Sequence, residues 1–309
     1  DNLSIESIRK TIENSVLWNI INKNTWDNSL KLNFNLLDYD KLNDSQLQAV
    51  SHSINNKITF IWGPPGTGKS TTLGHICKYF FEKGEKTLIT TIANVAIDSV
   101  LLKSLEVLEK DNKHLSNLEG KILRIGKTYS KEVLEKKYLY NINDLINGLR
   151  ENIKSKTEEI EDLSKDKTKN EEEIAKLKSK REQDIHDLKN ELKTIYNKAT
   201  LIFSTGSYTL IDTLIKDMDF DNVIIDEISM MNIPFLLWLS KFPKKRIIVA
   251  GDFRQLGPIA SSNKIGGHNW MKKDVFQILD KEYNFTKFDF VKMLMEQHRM
   301  NPGISAIIN

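Results

Sequence analysis

The run Gly63-Pro64-Pro65-Gly66-Thr67-Gly68-Lys69-Ser70 sets three glycines, a lysine and a hydroxyl in the spacing G-x-x-x-x-G-K-[ST]. With so little side-chain bulk, backbone N–H groups of such a loop can converge on phosphate oxygens at the N-terminus of the helix that follows. Lys69 is then expected to reach the β- and γ-phosphates of a nucleotide and Ser70 to ligate Mg²⁺, with Thr71 reinforcing the same helix end. A bare glycine turn would be unremarkable; the full spacing between a strand and a helix points to nucleotide binding.

A second constellation, NVIIDEIS at 222–229, ends an apolar run in paired carboxylates. Asp226 is expected to hold the water shell of the metal, and Glu227 to orient and deprotonate an attacking water. Two acids at a strand end are often only solvated, but beside a complete phosphate loop they read as a hydrolytic pair. In IIVAGDFRQLGPI at 247–259 an apolar strand again runs into polar residues. Gln255 is neutral and forked, able to bond both a γ-phosphate and the attacking water, and Asp252 could orient it or bond the waters around the metal.

These residues need a scaffold that brings strand ends together. ITFIW at 58–62 reads as a buried strand, followed by a helix to about Glu82, strand TLITT at 87–91, a helix from about Asn94 to Glu109 and strand ILRI at 122–125. Short apolar runs recur as LIFST at 201, VIID at 223 and RIIVAG at 246. The alternation predicts an α/β fold, a doubly wound parallel sheet with helices on both faces. Asp44 or Ser45 is expected to cap a short helix running through Ser53. Further upstream, Leu3 to Ile21 keeps helical spacing, and residues 22–42 read as a connector.

The alternation is interrupted between about Asn141 and Lys198, where Lys and Glu dominate and Ile153, Ile160, Leu177, Leu188 and Leu192 recur at helical intervals. With SKDKTKN at 164–170 as the turn, an antiparallel helical arm inserted in the domain is predicted, either a solvated insertion or an arm for a protein partner.

Composition sets outer bounds. At 309 residues, 39% hydrophobic and 28% charged, the chain has the composition of a globular protein, and no apolar run reaches membrane-spanning length. The opening DNLSIESIRK lacks the basic-then-apolar pattern of a secretory signal, so a cytoplasmic or nuclear setting is expected. A net charge of +3 is too small to imply nucleic-acid binding, which must come from motifs. The single cysteine, Cys77, falls where the helix after the phosphate loop should face its sheet and is expected to be buried. The chain begins without methionine and stops inside the apolar ISAIIN, which reads as a fragment.

The three constellations, with LNDSQ at 42–46 before them and EQHRMNP at 296–302 after them, stand in the order found in superfamily 1 helicases. The set closely resembles the branch of the nonsense-mediated-decay helicase, senataxin and the immunoglobulin mu-binding protein helicase, over residues 42–309. That resemblance implies a RecA-like first motor domain using ATP and Mg²⁺, with 5′-to-3′ movement on single-stranded RNA or DNA, acting as a monomer. By matching position, Gln46 would read the adenine edge, His298 would take the place of the stacking tyrosine, Gln255 would couple the γ-phosphate to nucleic acid, and Arg299 would touch the γ-phosphate. TTIANVAIDSV at 90–100 and FSTGSY at 203–208 resemble strand-contacting motifs, which assigns Thr91, Asn94, Thr205 and Ser207 to phosphates or sugars.

The sequence departs from the family pattern at Ile92 and Ala93, where Pro-Ser is usual, and at Met230, where glutamine commonly follows the acidic pair. The resemblance places residues 1–40 in a stalk, with a small β-barrel upstream and a second RecA-like domain downstream. Two other classes stay open: a hexameric AAA+ remodelling ATPase, and a switch whose nucleotide gates binding to nucleic acid or protein without unwinding.

Overall fold

The computed structural model describes residues 42–110, 118–136, 140–164, 171–252, 254–259, 271–279 and 288–298. The helix expected within residues 1–40 and the expected γ-phosphate contact Arg299 lie outside the described residues.

Among the described residues, eight parallel strands form one sheet in the order β4-β3-β5-β2-β6-β7-β1-β8. They are β1 Ile58–Trp62, β2 Thr87–Thr91, β3 Ile122–Ile125, β4 Tyr140–Asn141, β5 Leu201–Thr205, β6 Phe220–Ile225, β7 Pro243–Gly251 and β8 Val291–Met293. Between them run α1 Asp44–Asn55, α2 Lys69–Glu82, α3 Asn94–Lys110, α4 Lys131–Glu135, α5 Ile142–Leu163, α6 Glu171–Lys198, α7 Gly206–Ile211, α8 Thr213–Lys216, α9 Ile233–Leu239 and α10 Val275–Leu279. This is the expected RecA-like α/β fold.

The sheet is covered on both faces, which is why its strands read as unbroken apolar runs rather than alternating ones. Successive residues of β7 show the division: Ile247 and Val249 pack into one core with Val223 and Ile225 of β6, while Ile248 and Ala250 join the other with Ile224. The second core takes in Leu73, Ile76, Cys77 and Phe80 of α2 and Val100, Leu101 and Leu108 of α3. Cys77 is fully buried, and burial pushes its thiol up to about 12, so it behaves as a small apolar side chain. At the far edge, buried Arg246 bonds the Ile54 carbonyl, Glu85 and Asn222, tying the starts of β2, β6 and β7 together.

Helices α5 and α6 form the arm. Lys156 on one meets Asp184 on the other, as an antiparallel pair requires. Its base is anchored by Tyr196, buried, whose hydroxyl donates to Asp212 Oδ2 at 2.7 Å. Lys86 Nζ donates to the Tyr196 carbonyl at 2.9 Å from the other side.

Three elements differ from the sequence reading. The N-cap of α1 is Asn43, not Asp44 or Ser45: Asn43 accepts from the Gln46 N–H while the Gln46 side chain accepts from the Asn43 N–H, a reciprocal capping box. Strands β4 and β8 were not anticipated, because two- and three-residue strands carry too little pattern to recognise.

Candidate nucleotide site and nucleic-acid face

In a parallel sheet the loops that follow the strands gather at one edge. Here that edge collects Gly63 after β1, Asp226 after β6 and Asp252 after β7. Strand β7 separates β1 from β6. At a strand spacing near 4.8 Å, this sets the phosphate loop and the acidic pair about 10 Å apart.

The phosphate loop is held by its own atoms and its neighbours. Gly63 N–H donates to the Gly251 carbonyl at 3.1 Å, and the Thr67 hydroxyl donates to the Pro64 carbonyl at 2.8 Å. Gly68 caps α2 with φ 81°, a left-handed conformation that aims the following amides outward. A Cβ at Gly68 would also lie 2.4 Å from Gln46 Nε2, so the position admits glycine on both counts. Lys69 lies over the loop and donates from Nζ to the Gly63 carbonyl at 2.6 Å. Ser70 and Thr71 occupy the first turn of α2, half-buried. Fourteen residues of helix stand behind this end, supplying both free amides and the positive end of its dipole.

Opposite stand the acids. Asp226 is buried, its N–H bonding the Thr90 carbonyl at 2.9 Å. Burial and then the neighbouring Glu227 charge push its carboxyl up to about 7. Glu227 has φ 55°, the one left-handed non-glycine residue among those described. For a glutamate this is strained, and such strain persists where the surroundings enforce it, often at functional sites. Its Oε2 is buried without a hydrogen-bond partner. A strained acid with an unsatisfied buried oxygen, facing a cationic loop, fits a group waiting for a water or a metal-bound ligand. The residue set therefore suits a magnesium nucleotide.

Asp252, buried after β7, accepts at Oδ1 from the Trp62 indole N–H at 3.2 Å and from the Arg254 N–H at 3.1 Å. The Gln255 N–H donates to the Asp252 carbonyl at 3.1 Å, while the Gln255 side chain is exposed. On the other flank Gln46, 5% exposed, donates from Nε2 to the Thr67 carbonyl at 3.1 Å and accepts at Oε1 from Asn43 N–H at 3.2 Å. His298 is brought to the same place: its N–H donates to the Gly66 carbonyl at 2.8 Å, and its ring Nε2 lies 3.2 Å from Asn43 Nδ2. Gln46 and His298 thus meet on one side of the phosphate loop.

The four residues assigned to nucleic acid are not equivalent. Thr91 is a correction: it is fully buried, and its hydroxyl bonds the Ala93 carbonyl at 2.9 Å, closing the turn into α3 rather than facing a ligand. Thr205 is half-buried and caps α7 by accepting from the Tyr208 N–H at 3.4 Å. Asn94 is half-buried and Ser207 exposed, and these two are open to a ligand at the strand-end edge.

Residues 41–263 match the family model described as AAA domain (AAA_11), a span that contains all three constellations. The chain belongs to this AAA domain family. Among curated proteins, it is 28% identical over 282 residues to the DNA polymerase alpha-associated DNA helicase A of Saccharomyces cerevisiae, covering 85% of this chain and 39% of that protein. It is 28% identical over 252 residues to Regulator of nonsense transcripts 1 of Dictyostelium discoideum, covering 77% of this chain and 17% of that one. With the ATP-dependent helicase NAM7 of S. cerevisiae, identity is 27% over 292 residues, covering 91% of this chain and 26% of that protein. The chain thus spans well under half the length of these relatives. The AAA domain is of the superfamily 1 helicase type and corresponds to its first RecA-like domain. Among the described residues no helix is long and apolar enough to cross a membrane.

Three features of this AAA domain site were not read from the sequence. Trp62 fixes Asp252 from the end of β1, although the 190 residues between them give no local sign of the pair. Ser45 holds the segment after β8, its Oγ accepting from Met295 N–H at 3.2 Å. Arg124, on β3, reaches Asn94 at 3.0 Å. Only the Asn43/Gln46 capping box carried a recognisable local signal, Asn-x-x-Gln before an apolar run.

Proposed function

We propose that this chain is the first motor domain of an ATP-dependent helicase, coupling ATP hydrolysis to 5′-to-3′ movement on single-stranded RNA or DNA. The observation that carries the reading is the Asp226–Glu227 pair, its Glu227 strained and incompletely satisfied, at the same sheet edge as a complete phosphate loop. In this reading the α2 amides and Lys69 hold the phosphates, and Gln46 and His298 flank the base. Glu227 takes the proton of the attacking water. Ser70 and Asp226 would hold Mg²⁺, which neutralises charge on the phosphates when bound. Gln255, exposed beside Asp252, reads the γ-phosphate, and Arg299 adds positive charge there.

Direction and a monomeric motor rest on the family resemblance, and a cytoplasmic or nuclear setting on the sequence pattern. A second RecA-like domain, against which this one would open and close during turnover, also rests on that resemblance. The arm α5–α6, projecting and densely charged, is the surface assigned to a protein partner.

The test is ATP hydrolysis by the intact parent protein with and without single-stranded RNA and DNA, with Lys69→Ala and Glu227→Gln as controls. Stimulation by one polymer that both variants abolish supports the motor. Hydrolysis indifferent to either polymer overturns it and leaves a remodelling ATPase or a nucleotide switch.

A further inference from the structure

We propose that the loop Lys127-Thr128-Tyr129-Ser130-Lys131, between β3 and α4, is an additional contact for single-stranded nucleic acid, in which Tyr129 stacks on a base. The inference rests on the motor reading and adds a site to it.

The loop leaves the C-terminal end of β3, the same edge as the other strand-end motifs. Tyr129 is 78% exposed and is the only aromatic side chain among the large apolar groups exposed on the described residues. It lines a groove of about 650 Å³ together with Asn94 and Val95, the latter 81% exposed, so it adjoins a residue already assigned to nucleic acid. On its other side the loop runs beside α7: a Cβ at Gly126, where φ is 93°, would come within 3.5 Å of the Tyr208 ring, one residue from Ser207. The loop therefore lies between the two candidate contacts, half-buried Asn94 and exposed Ser207.

Its backbone is braced from beneath, which leaves the tyrosine little to do for the fold. Buried Arg124 donates from Nε to Asp98 Oδ1 at 2.7 Å, from Nη2 to the Lys127 carbonyl at 3.2 Å and to the Ile125 carbonyl from Nη1. The Thr128 hydroxyl donates to Asp98 Oδ2 at 2.7 Å and accepts from the Ser130 N–H at 3.2 Å, while Ser130 caps α4. Thr128 and Ser130 are thus turned inward by their bonds, and Tyr129 between them is left outside. An exposed aromatic on a braced backbone, with an exposed lysine on each side, Lys127 and Lys131, is the chemistry of a base platform between two phosphates. Of the acids that line the groove, Asp98 is paired with Arg124, Glu106 with Lys103 and Lys110, and Glu109 with Lys136, while exposed Glu132 carries its charge next to Lys131.

The experiment is fluorescence anisotropy of the full-length protein with labelled single-stranded RNA and DNA of mixed sequence, and with an abasic strand of equal length. Tyr129→Ala is expected to weaken binding to the normal strands by about 5- to 100-fold, with Tyr129→Phe close to wild type. Binding to the abasic strand should be weak and indifferent to Tyr129→Ala, and ATP hydrolysis without nucleic acid should be unchanged. If the wild type binds and Tyr129→Ala binds equally well, the loop contact is wrong while the motor reading stands. If the wild type binds none of the strands and its hydrolysis ignores them, the motor reading itself fails and the inference with it.

Discussion

Glu227 donates its backbone N–H to Oδ1 of Asp226 at 2.9 Å, so the two acids of the site are joined through the main chain. Glu227 itself is in the left-handed conformation, with its Oε2 buried and unpaired. Glu227→Gln preserves size and the backbone contact but removes the base. Hydrolysis should fall about 10²- to 10⁴-fold, with nucleotide affinity retained. Equilibrium binding of a fluorescent ATP analogue beside steady-state turnover checks both, and loss of affinity in step with turnover would count against the role.

Asp226 has a stability consequence of the opposite sign from most carboxylates. Its folded pKa is raised from 3.8 to about 7, chiefly by burial and then by Glu227. The unfolded chain therefore gives up this proton more readily, and the fold loses stability as pH rises from about 4 to about 7. Asp226→Asn keeps an acceptor for the Glu227 N–H and removes the buried charge. With nucleotide and metal chelated away, the variant should melt above wild type at pH 8, the gap closing toward pH 4. A gap that does not change with pH would show that the carboxyl is not perturbed in this way.

How much of this could be read beforehand depended on the range of the interaction. Strands β1, β2, β3 and β5 lie where continuous apolar runs placed them, because burial on both faces leaves a local signature. The phosphate loop was legible for a similar reason, since its function needs contiguous residues. The burial of Thr91 was not, because whether a hydroxyl at a strand end faces in or out is decided by the helix packed over it. Nor was the bond between Trp62 and Asp252, or that between Arg124 and Asp98, where the partners come from separate strands, loops or helices. Glu227 could be singled out as an acid, but its strain exists only in three dimensions.

Gln46 joins helix capping to the nucleotide site, since one amide serves both Asn43 and the Thr67 carbonyl. Gln46→Ala leaves the buried Thr67 carbonyl and the Asn43 N–H without these partners. A loss of about 1–3 kcal/mol in urea denaturation is expected, together with weaker ATP binding. Unchanged stability would mean that the capping box is replaced by water at little cost.

Two histidines give the fold an acid limit. His52 and His75 are both lowered from 6.5 to about 4, first by burial and then by nearby lysines, Lys292 for the former and Lys78 for the latter. Each is neutral in the fold and protonates more readily when unfolded, so its contribution is full above about pH 6.5 and lost as pH falls toward 4. His75→Gln removes one such penalty. The melting temperature of this variant relative to wild type should rise steadily from pH 7 to pH 4.5. A constant difference across that range would exclude the mechanism.

The buried pair Arg124–Asp98 links stability to the proposed nucleic-acid face, because the same guanidinium that meets Asp98 at 2.7 Å also holds Asn94 and the loop bearing Tyr129. Removing one partner strands the other charge in the core, whereas removing both does not. Arg124→Met should therefore cost about 3–5 kcal/mol, and adding Asp98→Leu should recover a substantial part of that loss. The double variant discriminates between the two roles of the pair. If the pair only stabilises the fold, recovering stability recovers strand binding. If it also positions Asn94 and the loop, the double variant folds well but still binds single strands weakly. Melting curves and oligonucleotide titrations on the four proteins of the cycle separate these outcomes, and weak binding in the well-folded double variant is the expected result.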